Sequence, residues 1–462
     1  MTQSLVKEKK PMDMLSGPFK KKILLVALPL MLSGILQHLY SSADLIIAGQ
    51  FSVDGKLAQA AISSTNSLVW LMLNLFMGFA VGVNVACARR IGAKDSEGTQ
   101  KVVHTAISIG AIFGIFVAII GVCLCRTVLV WMDSPENVIG LSTLYLRIYF
   151  CGMPFNFVYE FAASLLRAKG ETKKPLIYLL ISGAINVVLN VIFVIVFKMS
   201  VAGVAIATII SQFISMVLVL RCLIKSNDDT KLYLNKLKIH VKEFKEILLI
   251  GLPAGIQGSM FSISNLIIQS SVNGFGDVFM AGNGNAASIE SYLNVLVDSI
   301  VKASISFIGQ NYGAKNKDNI YKIIKDALLF MTVFCLIASG IVYLFRYQLL
   351  SLFNREAEVI SAGLPRIYFN CLPYVVYGYM QLTVGFMRGL GKSVLPMVVS
   401  ICGICVFRVL WVLIILPIYH TANILFVSYP ISWALTLAIQ VICFTIIRKS
   451  VFEKMLRQEN AE

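Results

Sequence analysis

The sequence predicts an all-α, polytopic membrane protein of 12 transmembrane helices in two pseudo-symmetric six-helix bundles, a parallel repeat. Three observations carry this. Of 462 residues, 57% are apolar and only 14% charged, against about 25% charged in a soluble domain, and the mean hydropathy is +0.79. The apolar residues fall into runs of roughly 20, enough to span ~30 Å of hydrocarbon at ~1.5 Å per residue. Related strings recur in the two halves at a nearly constant separation. Such a composition excludes a disordered or nucleic-acid-binding chain and speaks against a soluble enzyme.

The expected spans are 23–49, 58–88, 102–125, 139–166, 175–197, 201–224, 246–273, 279–309, 321–345, 359–387, 396–418 and 422–447. They leave a tail at 1–22, an N-lobe at 23–224, a linker at 225–245, a C-lobe at 246–447 and a tail at 448–462. The net charge of +16 is not spread evenly. With this span count, 31 of the 40 Lys and Arg fall on the side of the termini, Lys7, Lys9 and Lys10 among them. Five fall opposite: Lys56, Arg126, Lys198, Arg346 and Arg355. One missed helix would invert every later loop and destroy that split. The positive-inside rule then places both termini in the cytoplasm and the chain in the cell membrane, with membrane lipid around it and no nucleic acid as partner.

The first apolar run follows a polar tail and lacks a small-residue cleavage site, so no cleaved signal peptide is expected. The ten cysteines are scattered. Cys402 and Cys405 form a CxxC inside an apolar span and read as small hydrophobes, not a metal or redox site. His38, His104, His240 and His420 show no metal-ligand spacing. GLGKS at 389–393 resembles the end of a phosphate-binding loop, but the full pattern needs a glycine where Phe386 stands. No ATPase, no enzyme and no cofactor are expected; the energy would come from an ion gradient.

Comparison across the linker yields the repeat. ILLVALP (23–29) matches ILLIGLP (247–253), IGAKD (91–95) matches YGAKN (312–316), and RIYFCGMP (147–154) matches RIYFNCLP (366–373). The Arg167–Pro175 turn matches Arg388–Pro396. Six spans per half is an even number, so both halves insert the same way and are related about an axis along the membrane normal. That arrangement places a substrate site between the lobes of a secondary transporter.

An ionisable group near the bilayer centre costs at least ~2.5–3.5 kcal/mol, so each one retained is a functional candidate. The acids are Asp44 in span 1, Glu160 in span 4, and Glu290 and Asp298 in span 8. The deep bases are Lys302 and Arg408. Arg147 and Arg366 lie nearer span ends and read as anchors that reach the interface. Asp44, Asn186, Asn190 and Thr208 fall at similar depth in the N-lobe. Their oxygens suit a small cation or a carboxyl that cycles with a proton; the bland alternative is that Asn186 and Asn190 only bond neighbouring helices. In span 8, Glu290, Asn294, Asp298 and Lys302 recur every four residues as one polar stripe. Asp298 before Lys302 is the favourable order for an ion pair. Glu290 is a cation contact in the cavity or a mate for Arg408. Asn265 joins the cavity candidates. Pro29 and Pro253 occupy equivalent places in spans 1 and 7, as helix-bending residues or as first-turn prolines.

These residues resemble the multidrug and toxic compound extrusion (MATE) transporters. The resemblance rests on LPLMLSGILQHLYSSADLIIAGQ in span 1, the RAKGETKKP turn followed by NVVLN, GVAIAT at 203–208, GLPAGIQGSMFSISN in span 7 and FIGQNYGAK closing span 8. It implies an N-lobe cation site whose aspartate falls on Asp44, whose Asn–Asp pair falls on Asn186 and Asn190, whose threonine falls on Thr208 and whose bending proline falls on Pro29. Asn190 departs from the usual aspartate and leaves one carboxylate, which weakens the case for a tight Na+ site relative to H+. No acid stands between Gln257 and Asn265, where some members carry one; Glu290 and Asp298 are placed to fill that role. The implied function is cation-coupled (H+ or Na+) antiport of cationic or lipophilic small molecules by alternating access. One chain holds both lobes, so a monomer is expected. The alternative is a lipid-linked oligosaccharide flippase of the same superfamily.

Overall fold

The computed structural model describes residues 12–52, 54–132, 134–419 and 421–459; Lys7, Lys9, Lys10 and His420 lie outside them. Among the described residues there is no strand. Long apolar runs give long helices: α1 Phe19–Phe51, α2 Gly55–Gly92, α3 Ser96–Trp131, α4 Glu136–Cys151, α5 Met153–Ala168, α6 Lys173–Asn190 and α7 Ser200–Ile224. After the linker come α8 Val241–Asn273, α9 Asp277–Gly313, α10 Lys317–Leu344, α11 Arg346–Ser351, α12 Ala357–Arg366 and α13 Tyr374–Gly389. The chain closes with α14 Val394–Ser400, α15 Phe407–Ile414, α16 Leu416–Tyr419 and α17 Ala422–Glu459.

Ten segments are long and apolar enough to cross a membrane, and α4 with α5, bent by 47°, makes an eleventh. The remaining expected crossing, 359–387, is α12, a π-helical turn at Ile367–Cys371 and α13, interrupted at Leu372–Pro373. The two interruptions are equivalent. Pro154 and Pro373 end the matched RIYF strings, and each removes a backbone donor and crowds the preceding turn. Two more π-helical turns follow α6 at Val191–Val196 and α14 at Ile401–Val406.

The repeat is visible in local geometry. Lys94 and Lys315, 221 residues apart, both have positive φ (55° and 57°), as do Gly170 and Gly391 (φ 87° and 71°). Asp95 and Asn316 cap α3 and α10, accepting from Gly98 N at 2.8 Å and Asn319 N at 3.2 Å. A Cβ on Gly92 would lie 1.9 Å from the Gln310 carbonyl oxygen, and one on Gly313 would lie 2.0 Å from that of Arg89. The contact and its rotated copy are what a twofold axis requires.

The first half of α1 (Phe19, Ile23, Val26, Leu30) packs into the core of the second bundle, while Ile47 and Ala48 near its end pack into the first. Conversely, Ile247 near the start of α8 sits in the first bundle's core, and Ile268 and Val272 sit in the second's. Helix α9 is the most buried span, with 72% of its apolar stretch inside the protein.

Candidate functional site

Asp44 lies in the C-terminal half of α1, and Asn186 and Asn190 lie one turn apart at the end of α6. The structure brings these three together. Asn190 Nδ2 donates to Asp44 Oδ1 at 2.5 Å and to Asn186 Oδ1 at 3.2 Å. Asn190 is fully buried, and its Oδ1 has no hydrogen-bond partner. It is also the residue at which α6 passes into a π-helical turn, a local widening that frees backbone and side-chain positions. Thr208 is not joined to this cluster: its hydroxyl donates to Val204 O on its own helix at 2.9 Å. The sequence alone missed Tyr145 and Tyr149 of α4, whose rings stack at 5.9 Å and which lie close enough to Asp44 to feel its charge. The signal was present: Tyr145 and Tyr149 are four apart and so share a helix face.

The fit to a cation can be tested on these atoms. A bare Na+ needs several oxygen ligands. Here Asp44 supplies a carboxylate and Asn190 turns a donor, its Nδ2, toward it. One acid and one amide donor suit a carboxylate that gains and loses a proton at least as well as an all-oxygen cage.

The C-lobe candidates distribute differently from expectation. Glu290 pairs with Arg366, not Arg408: Arg366 Nε lies 2.8 Å from Glu290 Oε2. Asn370 Nδ2 donates to the same oxygen at 3.2 Å, and Arg366 Nη1 donates to Asn283 Oδ1 at 2.8 Å. Arg366 is therefore a half-buried partner and not an interfacial anchor, whereas its repeat-mate Arg147 is exposed. Arg366 and Asn370 are four residues apart and so share the face turned toward α9. Arg408 is 5% exposed, donates from Nε to Ser432 Oγ at 2.9 Å and stacks 3.9 Å over the Tyr429 ring.

Asp298 and Lys302 make no ion pair within 4.0 Å, although their spacing favours one. Asp298 is exposed, and Lys302 is half-buried one turn further along. A solvated pair gains too little to fix two side chains. Asp298 instead lies within electrostatic reach of Arg388 and Tyr377. Asn294 is half-buried and Asn265 exposed. Glu160 is held by Arg167, Oε2 to Nη2 at 3.3 Å. Pro29 and Pro253 lie well inside α1 and α8, which excludes first-turn prolines. Among the described residues no three His, Cys, Asp or Glu converge as a metal site.

The two-lobe repeat matches what comparison with known proteins finds. The MatE profile matches residues 29–192 and again 253–414. The chain belongs to the MatE family. Over 424 residues it is 30% identical to the probable multidrug resistance protein YoeA of Bacillus subtilis, covering 89% of this chain and 90% of that one. The multidrug export protein MepA of Staphylococcus aureus is 21% identical over 422 residues, 91% of each chain. Among solved structures, an outward-facing MATE transporter of the MOP superfamily superposes with TM-score 0.88 at 22% identity, covering 97% of this chain and 100% of that one. A MOP superfamily transporter from Pyrococcus furiosus gives 0.88 at 21% identity, covering 96% and 99%.

In this MatE protein the lobes are fastened to one another on the face that carries the termini. Arg89 of α2 pairs with Glu246 of α8 at 3.3 Å, donates to Leu390 O at 3.0 Å and lies 4.2 Å over the Tyr312 ring. Arg90 reaches Glu246 at 3.3 Å and Glu243 at 3.8 Å. Gln310, the repeat-mate of Arg89, donates to Ala168 O at 2.6 Å in the opposite direction across the axis. Ser306 Oγ donates to Asn84 Oδ1 at 3.1 Å. The segment before α1 adds a wedge: Asn311 and Asn319 donate to Met14 O and Leu15 O at 2.8 and 2.7 Å.

Proposed function

We propose that this MATE-family transporter exports cationic or lipophilic small molecules by antiport, taking up a proton or sodium ion at Asp44. The observation that carries the reading is the Asn190–Asp44 hydrogen bond beside a buried, unpartnered Asn190 Oδ1. With Asp44 ionised, the amide donor holds α6 against α1. Once the carboxyl is neutralised it becomes a donor itself, and the orphaned amide oxygen offers an acceptor. The two occupancies therefore favour different packings of α1 on α6, and a ligand shifts the equilibrium between states by the difference in its affinity for them. The relatives' names, multidrug resistance and multidrug export, support efflux over a lipid-linked oligosaccharide flippase. Exporting substrate in exchange for an entering cation places the termini in the cytoplasm and the fastened face inward; the charge asymmetry of the loops supports that orientation.

Proteoliposomes with sodium and proton gradients imposed separately test this. Ethidium or fluoroquinolone efflux is expected with at least one gradient in the wild type, and Asp44→Asn is expected to lose gradient-driven efflux by tenfold or more while still binding ethidium. Undiminished efflux by Asp44→Asn in energised vesicles would overturn the coupling.

A further inference from the structure

The linker between the lobes is fixed along α3 in a way the transport cycle does not require. Lys169, at the α5–α6 turn, grips its first part, with Nζ 2.9 Å from Asp228 Oδ2 and 3.2 Å from Ser226 Oγ. Further on, Tyr233 N donates to His104 Nε2 at 3.1 Å and His240 N donates to Thr105 Oγ1 at 3.0 Å. Between these ties the chain is a strap over α3, with a single 3-10 turn at Leu234–Lys236. His104 and Thr105 stand eight and nine residues beyond Ser96, the start of α3, or ~12 Å along the helix. The apolar run of α3 begins at Val102. The strap therefore lies at the depth where polar helix gives way to apolar helix.

Its side chains have two chemistries. Leu234, Leu237, Ile239 and Val241 are exposed, Leu234 by 58% and Val241 by 64%. Lys236, Lys238 and Lys242 are also exposed, and no carboxylate lies within 4.0 Å of them among the described residues. Two adjoining clefts of about 520 and 510 Å³ open between the strap and the first turns of α3. Lys101, Lys238 and His240 line both; Lys242 lines one and Lys236 the other. The acids on these walls are already engaged. Asp95 is bound by Arg90 at 2.9 Å, Glu97 by Lys101 at 2.5 Å, and Glu243 faces Arg90 at 3.8 Å. The uncompensated charge of the clefts is positive.

We propose that the strap and α3 form a binding site for an anionic phospholipid, its phosphate among Lys236, Lys238 and Lys242 and its acyl chains over the exposed Leu237, Ile239 and Val241. A soluble phosphate would use the lysines and leave the apolar row in water. A lipid uses both, and the depth of the strap places headgroup and chains beside the matching side chains. The same cleft is walled by Arg90 and Glu243, so a bound lipid also steadies the ion pairs that fasten the two lobes.

The test uses the full-length protein purified in a neutral detergent, with phosphatidylglycerol, phosphatidylcholine or inorganic phosphate added. Native mass spectrometry reads lipid retention, and thermal melting reads stabilisation. Phosphatidylglycerol is expected to stay bound at one copy and to raise the melting temperature by several degrees; phosphatidylcholine and millimolar phosphate are expected to do neither. K236Q/K238Q/K242Q is expected to lose retention of phosphatidylglycerol by tenfold or more, and K236R/K238R/K242R is expected to keep it. If the glutamine variant melts early in plain detergent, K238Q alone, with at least a threefold loss expected, serves instead. Equal retention by the wild type and the glutamine variants overturns the proposal. So does equal binding of phosphatidylcholine, and so does a stabilisation by phosphate that matches the lipid's.

Discussion

Asp228 is the residue at which the linker is tied to the first bundle. Burial alone would push its carboxyl up, but hydrogen bonds from Thr230 and the Lys169 ammonium outweigh burial and hold it well below the ordinary 3.8, at about 2. A carboxylate whose pKa is depressed by folding stabilises the fold above its unfolded value and loses that contribution as pH falls toward the folded one. Asp228→Asn is therefore expected to quicken amide hydrogen exchange over residues 226–232 at pH 7, by several-fold. The difference from wild type should close between about pH 4 and pH 2, where the native carboxylate itself takes up a proton. An unchanged exchange rate at pH 7 would show that the tie carries no stability. At this scale the sequence was only partly legible. Asp44, Asn186 and Asn190 could be grouped because helix depth orders them. Glu290 was left between a cation contact and Arg408; its partner Arg366 lies 76 residues away, and hydropathy holds no record of which distant side chains the fold brings together. The i,i+4 rule suggested Asp298–Lys302, but it describes helix geometry and is silent on which face water reaches.

At the scale of elements, α2 and α8 meet backbone to backbone at their glycines. A Cβ on Gly255 would lie 2.0 Å from Leu75 O, and one on Gly78 would lie 2.0 Å from Gly255 N. Gly255→Val must push the helices apart, and overpacking of this kind costs ~1–3 kcal/mol. A clear drop in melting temperature in detergent is expected. Gly284→Ala, on α9 with nothing within 4 Å of the new Cβ, should be neutral or gain up to ~1 kcal/mol from helix propensity. If both variants melt like wild type, the close approach is not a constraint. The spans themselves were well placed by hydropathy, since apolar length is a property of single segments. The interruptions at Gly152 and at Leu372–Pro373 were passed over, because an apolar average does not register one missing backbone donor. Pro154 and Pro373 were visible as equivalent residues in the repeat, and that equivalence was the available clue.

At the scale of the whole molecule, Arg89 joins α2 to three separate pieces of the opposite lobe: Glu246, the Leu390 carbonyl and the Tyr312 ring. Charge-assisted hydrogen bonds contribute ~1.5–3 kcal/mol each, so Arg89→Ala shifts the population toward states parted on the face of the termini. Ser306 is 1% exposed where the lobes meet. In a background stripped of the native cysteines, maleimide labelling of the thiol introduced by Ser306→Cys should rise on the order of tenfold when Arg89→Ala is added. Equal labelling with and without Arg89→Ala would mean that this arginine does not hold the face shut. The reciprocal rooting of α1 and α8 has a mechanical outcome for the same motion. Each of these two rods is clamped at its base by the neighbouring domain and along its upper length by its own. The domains cannot swing without flexing both rods, and each already lacks a backbone bond at its buried proline. In the proposed cycle the pivot runs through the very rod that bears Asp44, so that loading that acid and tilting the domains are one deformation.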